Sequence, residues 1–215
     1  MLSINPPNTK KIEGVLNIHP DLQEHFCLLI VGKPGSGKSH LIEEFILNPN
    51  LYYKKFNKIF FVGASGFQRI SLKENNSIGV FDPAWMLERI QENPQAKNIL
   101  FVLDDVIGEI KAKQNDPLMM KLIFNRRHII GDCTVSYIIT SQKYIVCPPR
   151  LRSCISSIIF FKVQKSDLKK IVEECVYQEL SKINYIQLLK HLLDHNFCYI
   201  RMDNSKIYLN FKHFL

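Results

Sequence analysis

The chain has 215 residues, of which 46% are hydrophobic and 22% charged, and its formal net charge is +8. This balance is typical of a globular domain and excludes a disordered or collagen-like chain. The length suits one α/β domain, so we expect a single domain over 1–215 with an irregular polar lead-in over 1–25. The positive charge suits nucleic acid, free nucleotide or a membrane surface as a partner, and equally a moderately basic enzyme.

The apolar runs and the cysteines indicate the compartment in which the chain is expected. No apolar run approaches the roughly 18 residues that cross a bilayer, so we expect no transmembrane segment. The N-terminus lacks a basic start followed by a long apolar stretch, so we expect no signal peptide. The six cysteines form no CxxC pair, which favours small buried thiols over zinc ligands and indicates a reducing compartment.

The chain alternates apolar runs with helical patterns. Continuous apolar runs predict strands buried on both faces of a parallel sheet, and Asp-Pro pairs predict helix starts with a capping carboxylate. Predicted strands cover 26–31, 58–62, 98–103, 134–140 and 156–162, and the predicted helices cover about 40–47, 83–92, 117–128, 166–176 and 183–193.

The remaining segments are predicted as loops and a terminal hairpin. Residues 64–82 are polar and indicate a loop, and Pro148-Pro149 indicates a turn. Residues 197–211 predict a β-hairpin that turns at 203–205. The alternation predicts an α/β fold: a mostly parallel sheet with helices on both faces and a C-terminal hairpin.

The strongest motif follows the first strand. Residues 32–39, Gly-Lys-Pro-Gly-Ser-Gly-Lys-Ser, match G-x-x-x-x-G-K-[ST] in full. Glycines allow successive N–H groups to surround an anion, and the helix that follows adds the positive end of its dipole. Lys38 would reach the β- and γ-phosphates and Ser39 would bind Mg²⁺. The segment predicted to bind ATP comprises Gly32, Lys33, Pro34, Gly35, Ser36, Gly37, Lys38, Ser39 and His40.

An acidic pair follows the third predicted strand. The run Ile-Leu-Phe-Val-Leu ends in Asp104-Asp105. The first carboxylate would hold Mg²⁺ through water beside the phosphate loop, and the second would orient or deprotonate the attacking water. Glu109 is a weaker candidate for that second role. A second acid directly after the first favours hydrolysis over transfer to a metabolite.

Two other classes of phosphate-loop protein, GTPases and small-molecule kinases, share parts of this pattern. Asp105 to Gly108 matches the GTPase pattern D-x-x-G, but 57–60 fails the base-reading pattern N-K-x-D at its last position. A small-molecule kinase needs an Arg-rich lid. The Arg126-Arg127 and Arg150/Arg152 pairs could supply one, so this class remains an alternative.

Beyond these motifs, the chain resembles a known family over nearly its whole length, from about residue 15. The segments that carry the resemblance are the phosphate motif, Asp104-Asp105, Asn-Arg-Arg-His at 125–128, Thr-Ser-Gln at 140–142, Pro-Arg-Leu-Arg at 149–152 and Ile-Ile-Phe-Phe-Lys at 158–162. It resembles the viral genome-packaging ATPases of the FtsK/HerA superfamily, in the poxvirus, giant-virus and virophage branch. These imply a RecA-like P-loop fold and a ring of five or six copies that pumps double-stranded DNA into a capsid.

The resemblance also implies roles for three further residues. Gln142 matches a polar sensor that contacts the γ-phosphate or the attacking water. Arg127 matches an arginine that acts across a subunit boundary, where a cation stabilises charge in the transition state. Arg152 is a second candidate, although Cys154 stands where the family often has an asparagine. A helix C-terminus also favours arginine without any catalytic role.

Together these observations predict an ATP- and Mg²⁺-dependent motor with capsid or portal partners, located in the virion or a cytoplasmic viral factory. DNA contacts should be to backbone phosphates rather than to bases. Lys162, Lys165, Lys169 and Lys170 offer one candidate surface, for which a solvated helix face is the simpler explanation. The alternatives are another DNA-handling ATPase of the superfamily, a helicase loader, or a nucleotide-gated assembly factor that moves no DNA.

Overall fold

A computed structural model describes residues 22–63, 67, 69–70, 76–124, 133–175, 197–203, 207–209 and 212–213. The strands are β1 Cys27–Val31, β2 Lys58–Val62, β3 Ser77–Ile78, β4 Asn98–Leu103, β5 Thr134–Ser141, β6 Ser157–Phe160, β7 Cys198–Arg201, β8 Ile207–Leu209 and β9 Lys212–His213. The helices are α1 Lys38–Leu47, α2 Pro83–Gln91, α3 Ile107–Ala112, α4 Pro117–Met119, α5 Pro149–Cys154 and α6 Lys165–Cys175, and α4 continues as a π-helix over Met120–Phe124.

The strands form one sheet in the order β3-β2-β4-β5-β1-β6-β7-β8-β9. The pairs from β3 to β6 are parallel, whereas β6–β7, β7–β8 and β8–β9 are antiparallel. The predicted fold class, a mostly parallel sheet with a C-terminal hairpin, is therefore confirmed. Part of the predicted turn at 203–205 and all of the predicted helix at 183–193 lie outside the described residues.

Helices cover both faces of the sheet, because the central strands are apolar on both sides. On one face, Leu28, Ile30 and Leu100 pack with apolar side chains of α1 and with Tyr52. On the other face, odd-numbered residues of β1, β4 and β5 pack with side chains of α2 to α6 and the π-helix. Two separate cores result, one on each face, as the continuous apolar runs predict.

Both predicted Asp-Pro helix starts are confirmed. Asp82 accepts a hydrogen bond from the Ala84 N–H at 3.0 Å at the start of α2. Asp116 accepts from the Leu118 and Met119 N–H groups at 2.7 and 3.2 Å at the start of α4. Sequence reveals such starts because the capping bond spans only two or three residues.

Three short elements differ from the predictions or add to them. The segment expected to be a loop over 64–82 contains β3, which pairs with the end of β2. The expected turn at Pro148-Pro149 is instead the start of α5, since proline fits the first turn of a helix as well as a turn. The unpredicted helix α3 buries Ile107 and Ile110 against the core. Tertiary packing stabilises these elements, which are too short for a periodic signal.

The structure also tests the expected burial of the cysteines and describes helices that could be compared with a membrane span. Four cysteines are buried, as predicted: Cys27, Cys147, Cys175 and Cys198; Cys133 and Cys154 are partly exposed. Burial raises the pKa of Cys147 and of Cys175 to about 11, which makes both thiols weak nucleophiles. None of the described helices combines the length and the apolar character that a membrane span requires.

Candidate nucleotide-binding site

Three predicted segments meet at one edge of the sheet. Strands β1, β4 and β5 are parallel, and β5 lies between the other two. Their carboxyl ends therefore bring together the phosphate loop after β1, Asp104-Asp105 after β4, and Gln142 after β5. This edge is where open parallel sheets bind ligands.

The loop backbone has the conformation that the glycines were predicted to allow. Gly35 and Gly37 have φ values of 74° and 97°, in the left-handed region that favours glycine. Gly37 is the N-cap of α1 and makes no side-chain capping bond, and the first turn of α1 contains no acidic residue. The N–H groups of this first turn are thus left for an anion.

Gly32 lies where the loop packs against β6. A Cβ atom there would come within 2.4 Å of Ser36 Oγ and 3.0 Å of Phe161 Cδ2. Phe161 is 7% exposed, and its ring centroid lies 5.9 Å from that of Phe197, just before β7. Sequence reasoning missed Phe161 as a support for the loop, because the contact depends on β6 being the neighbour of β1.

Lys38 lies within the loop that it was predicted to serve. Its Nζ donates to the carbonyls of Gly32 and Lys33 at 2.8 and 3.2 Å. Burial lowers the pKa of the Lys38 ammonium, and the charges of Asp104 and Asp105 oppose this lowering. The lysine and both acids therefore share one electrostatic environment.

Asp104 is buried and points to the neighbouring strand. It is 8% exposed, and its Oδ1 accepts a hydrogen bond from Thr140 Oγ1 at 2.7 Å. Its backbone N–H donates to the Val62 carbonyl at 2.8 Å, which continues the sheet ladder. Sequence reasoning missed Thr140, because β5 contains several hydroxyl residues and only its pairing with β4 places this one beside Asp104.

Asp105 is exposed and has a left-handed backbone. Its φ is 57°, unusual for a residue other than glycine although aspartate tolerates it better than most. Its N–H donates to Thr140 Oγ1 at 2.9 Å, and its Oδ2 accepts from Gln142 Nε2 at 3.1 Å. The structure thus brings together Asp105 and Gln142, two residues predicted separately.

Two neighbours of the acidic pair have structural roles. Glu109, the weaker candidate for orienting the attacking water, accepts a hydrogen bond at its Oε2 from the Phe81 N–H. Gly63, at the end of β2, has φ 73°, and a Cβ there would lie 2.4 Å from the Asp104 carbonyl oxygen. Only glycine allows β2 to approach the acidic pair this closely.

The two candidate arginines lie elsewhere. Arg127 is outside the described residues. Arg152 lies on α5, where its Nε is 2.9 Å from Glu174 Oε2 and its Nη1 donates to the Cys147 carbonyl at 2.8 Å. Its guanidinium lies 5.4 Å from the centre of the Tyr144 ring. Within this chain, Arg152 therefore joins α5 to α6, and a role across a subunit boundary stays a prediction.

The side chains at this edge fit Mg-ATP. Ser39 is at the second position of α1, partly exposed, and Asp104 follows β4, so a hydroxyl and a carboxylate are available as hard oxygen ligands. The loop N–H groups and Lys38 suit the phosphates. Lys33, Pro34, Gly35 and His40 are exposed along the same segment.

Comparison with known proteins supports the fold. No protein-family model matches the chain, and no curated protein matches it in sequence. Solved structures do match. The genome-packaging NTPase B204 of Sulfolobus turreted icosahedral virus 2, in complex with ATP-gammaS, has a TM-score of 0.58 and 15% identity, covering 87% of this chain and 98% of that one.

Two further structures agree with this likeness. The AMP complex of the same NTPase has a TM-score of 0.59 and 14% identity, over 87% of this chain and 98% of that one. B204, the DNA-packaging ATPase from Sulfolobus turreted icosahedral virus, has a TM-score of 0.58 and 14% identity, over 86% and 96%. At such identities the likeness shows a shared fold. The resemblance inferred from the motifs is therefore confirmed at the level of the fold.

Proposed function

We propose that the chain is an ATP-hydrolysing motor that translocates double-stranded DNA into a viral capsid during virion assembly. The observation that carries the proposal is the meeting of the phosphate loop, Asp104-Asp105 and Gln142 at one sheet edge. The shared fold with the B204 packaging ATPases supports it.

Each group at this site has its own proposed role in hydrolysis. The loop N–H groups and Lys38 would bind the phosphates of ATP, and Ser39 and Asp104 would hold Mg²⁺. When bound, Mg²⁺ neutralises charge on the phosphate oxygens. Asp105 orients the attacking water and accepts its proton, and Gln142 holds the Asp105 carboxylate in place through the 3.1 Å bond.

A neighbouring subunit completes the proposed site. Arg127 is the first candidate for a cation that reaches the γ-phosphate of the next subunit. The proposed homo-oligomeric ring of five or six copies rests on the resemblance to the packaging ATPases. Arg152 is the second candidate, although it must first leave Glu174, to which it is bound at 2.9 Å. Release of such a pair costs free energy, which an arginine finger at this position would have to recover at the γ-phosphate.

The proposed DNA contact is electrostatic. The net charge of +8 suits a phosphate backbone, and a translocating motor gains nothing from reading bases. Capsid or portal components are the proposed partners, and the virion or a cytoplasmic viral factory is the proposed location. The alternatives are another DNA-handling ATPase of the FtsK/HerA type and an assembly factor that moves no DNA.

Steady-state ATP hydrolysis with and without double-stranded DNA, at low salt, tests the proposal. Low salt matters because phosphate contacts weaken steeply as salt rises. We expect hydrolysis to rise several-fold with DNA and to vanish in Lys38→Ala. The matched control is Lys97→Ala, an exposed lysine just before β4, at the opposite edge of the sheet.

Each result separates the alternatives. Hydrolysis that DNA does not change, over a range of protein concentrations that covers ring assembly, contradicts the motor and favours the assembly factor. Transfer of phosphate to a nucleoside identifies a kinase instead. Equal losses in Lys38→Ala and Lys97→Ala contradict the assigned role of Lys38.

A further inference from the structure

One buried hydroxyl contacts both acids of the proposed site. Thr140 is fully buried, next to last in β5, and β5 is flanked by β4 and β1. The register pairs Leu103 with Ile139, which places Thr140 beside Asp104, and it pairs Thr140 with Ile30 of β1. Thr140 thus lies between the acidic pair and the strand that leads into the phosphate loop.

The two hydrogen bonds of Thr140 determine where its proton lies. The Asp105 N–H is a donor, so Thr140 Oγ1 accepts from it at 2.9 Å. The hydroxyl has a single proton, which is therefore directed to Asp104 Oδ1 at 2.7 Å. The hydroxyl orients one oxygen of the predicted Mg²⁺ ligand while it holds the backbone of the next residue.

The bond from the Asp105 N–H to Thr140 holds an unusual backbone conformation. The φ of Asp105, 57°, lies in a region that is unfavourable for residues other than glycine. The bond to Thr140 stabilises this conformation. In that conformation the Asp105 carboxylate meets Gln142 Nε2, so the position of the proposed base depends on the hydroxyl.

We propose that Thr140 is a positioning residue, which presents Asp104 to Mg²⁺ and sets the Asp105 backbone so that its carboxylate reaches Gln142. The inference rests on the proposed ATPase function. A fully buried hydroxyl has a cost unless it is bonded, and here both side-chain bonds of Thr140 go to the acidic pair. Groups that orient a metal ligand typically contribute 10- to 100-fold to metal affinity or activity.

The test compares Thr140→Val, which keeps the shape, with Thr140→Ser, which keeps the hydroxyl. Thr140→Ala is prepared in parallel, so the comparison does not depend on the valine variant folding. The matched control is Ser136→Ala, which removes a buried hydroxyl on the same face of β5, four residues away, bonded to the Phe26 N–H.

Two measurements are made on each variant. The first is the affinity for a fluorescent, slowly hydrolysed ATP analogue, with Mg²⁺ and with EDTA. The second is kcat and KM for ATP hydrolysis, with thermal unfolding to verify folding. In Thr140→Val, we expect the factor by which Mg²⁺ raises affinity for the analogue to fall about 10-fold or more. We expect kcat to fall by a similar factor. The affinity measured in EDTA should be unchanged. Thr140→Ser and Ser136→Ala should stay within about threefold of wild type.

The outcomes are distinct. A valine variant with wild-type Mg²⁺ dependence and kcat overturns the inference while leaving the proposed function intact. Equal losses in the valine, serine and Ser136→Ala variants, or equal losses with and without Mg²⁺, indicate a purely structural hydroxyl and also overturn it. A wild-type chain that neither binds nor hydrolyses ATP overturns the proposed function, and this inference with it.

Discussion

Gln142 Nε2 donates to Asp105 Oδ2 at 3.1 Å and lies 3.4 Å from Oδ1, so one amide group faces both oxygens of the second acid. Asp105 follows β4 and Gln142 follows β5, and the parallel pairing of these strands brings them together. The contact links a predicted sensor directly to the predicted base. If both roles hold, the position of Gln142 bears directly on the orientation of the Asp105 carboxylate.

Removal of the Gln142 amide should slow turnover more than it weakens binding. We expect Gln142→Ala to lower kcat by on the order of 100-fold, because Asp105 loses the group that orients it, with KM within about threefold. Steady-state kinetics measures both. Gln91→Ala, at an exposed glutamine at the end of α2, serves as the control and should match wild type. A Gln142→Ala variant with normal kcat contradicts the sensor role.

Substitutions of Asp105 should separate chemistry from backbone conformation. Asparagine tolerates the left-handed region and alanine does not, so Asp105→Asn should abolish hydrolysis with stability nearly unchanged. Asp105→Ala should abolish hydrolysis and also lower the free energy of unfolding by about 1 kcal/mol. Urea unfolding and an ATPase assay measure the two effects. Hydrolysis that persists in Asp105→Asn would exclude Asp105 as the base.

Gly63→Ala should destabilise the chain strongly. The alanine would adopt φ 73° with its Cβ at 2.4 Å from the Asp104 carbonyl oxygen, so we expect a loss of about 2 to 3 kcal/mol. Gly79→Ala is the control, since a Cβ there meets nothing within 4 Å. Chemical denaturation compares the variants. Equal stability of the two would show that β2 does not need glycine near the acidic pair.

The contacts of Glu174 should make stability depend on pH. Burial raises the pKa of Glu174, but hydrogen bonds from Tyr144 and Lys170 and the charge of Arg152 outweigh burial, so the net shift is below the ordinary value of 4.5. A lowered pKa in the folded state means that the ionised carboxylate stabilises the fold above about pH 4.5, and that this contribution is lost as pH falls further.

Glu174→Gln should therefore cost about 1 kcal/mol at pH 7, with the difference from wild type shrinking below pH 4.5. Urea unfolding at a series of pH values measures the difference. Glu173→Gln changes the net charge equally at an exposed neighbour and should stay within about 0.5 kcal/mol of wild type. A difference that grows on acidification would show that the sign of the pKa shift is wrong.

Much of the site was predictable because its signals are local. The phosphate motif places glycine at the two loop positions, Gly35 and Gly37, that adopt positive φ. Asp82 and Asp116 cap their helices through bonds that span two or three residues. By contrast, β3 has only two residues, which is too short to show a periodic pattern. It forms through its pairing with the end of β2.

The sequence alone predicted strands β1, β2, β4, β5 and β6, the capped helices, the phosphate loop and the acidic pair, because each signal depends on neighbouring residues. Only the tertiary structure decided that Thr140 joins Asp104 to Asp105 and that Gly63 must lack a side chain. It likewise tied Arg152 to Glu174. These contacts depend on which strands and helices become neighbours, and that order is set by how the apolar faces of the whole sheet are buried.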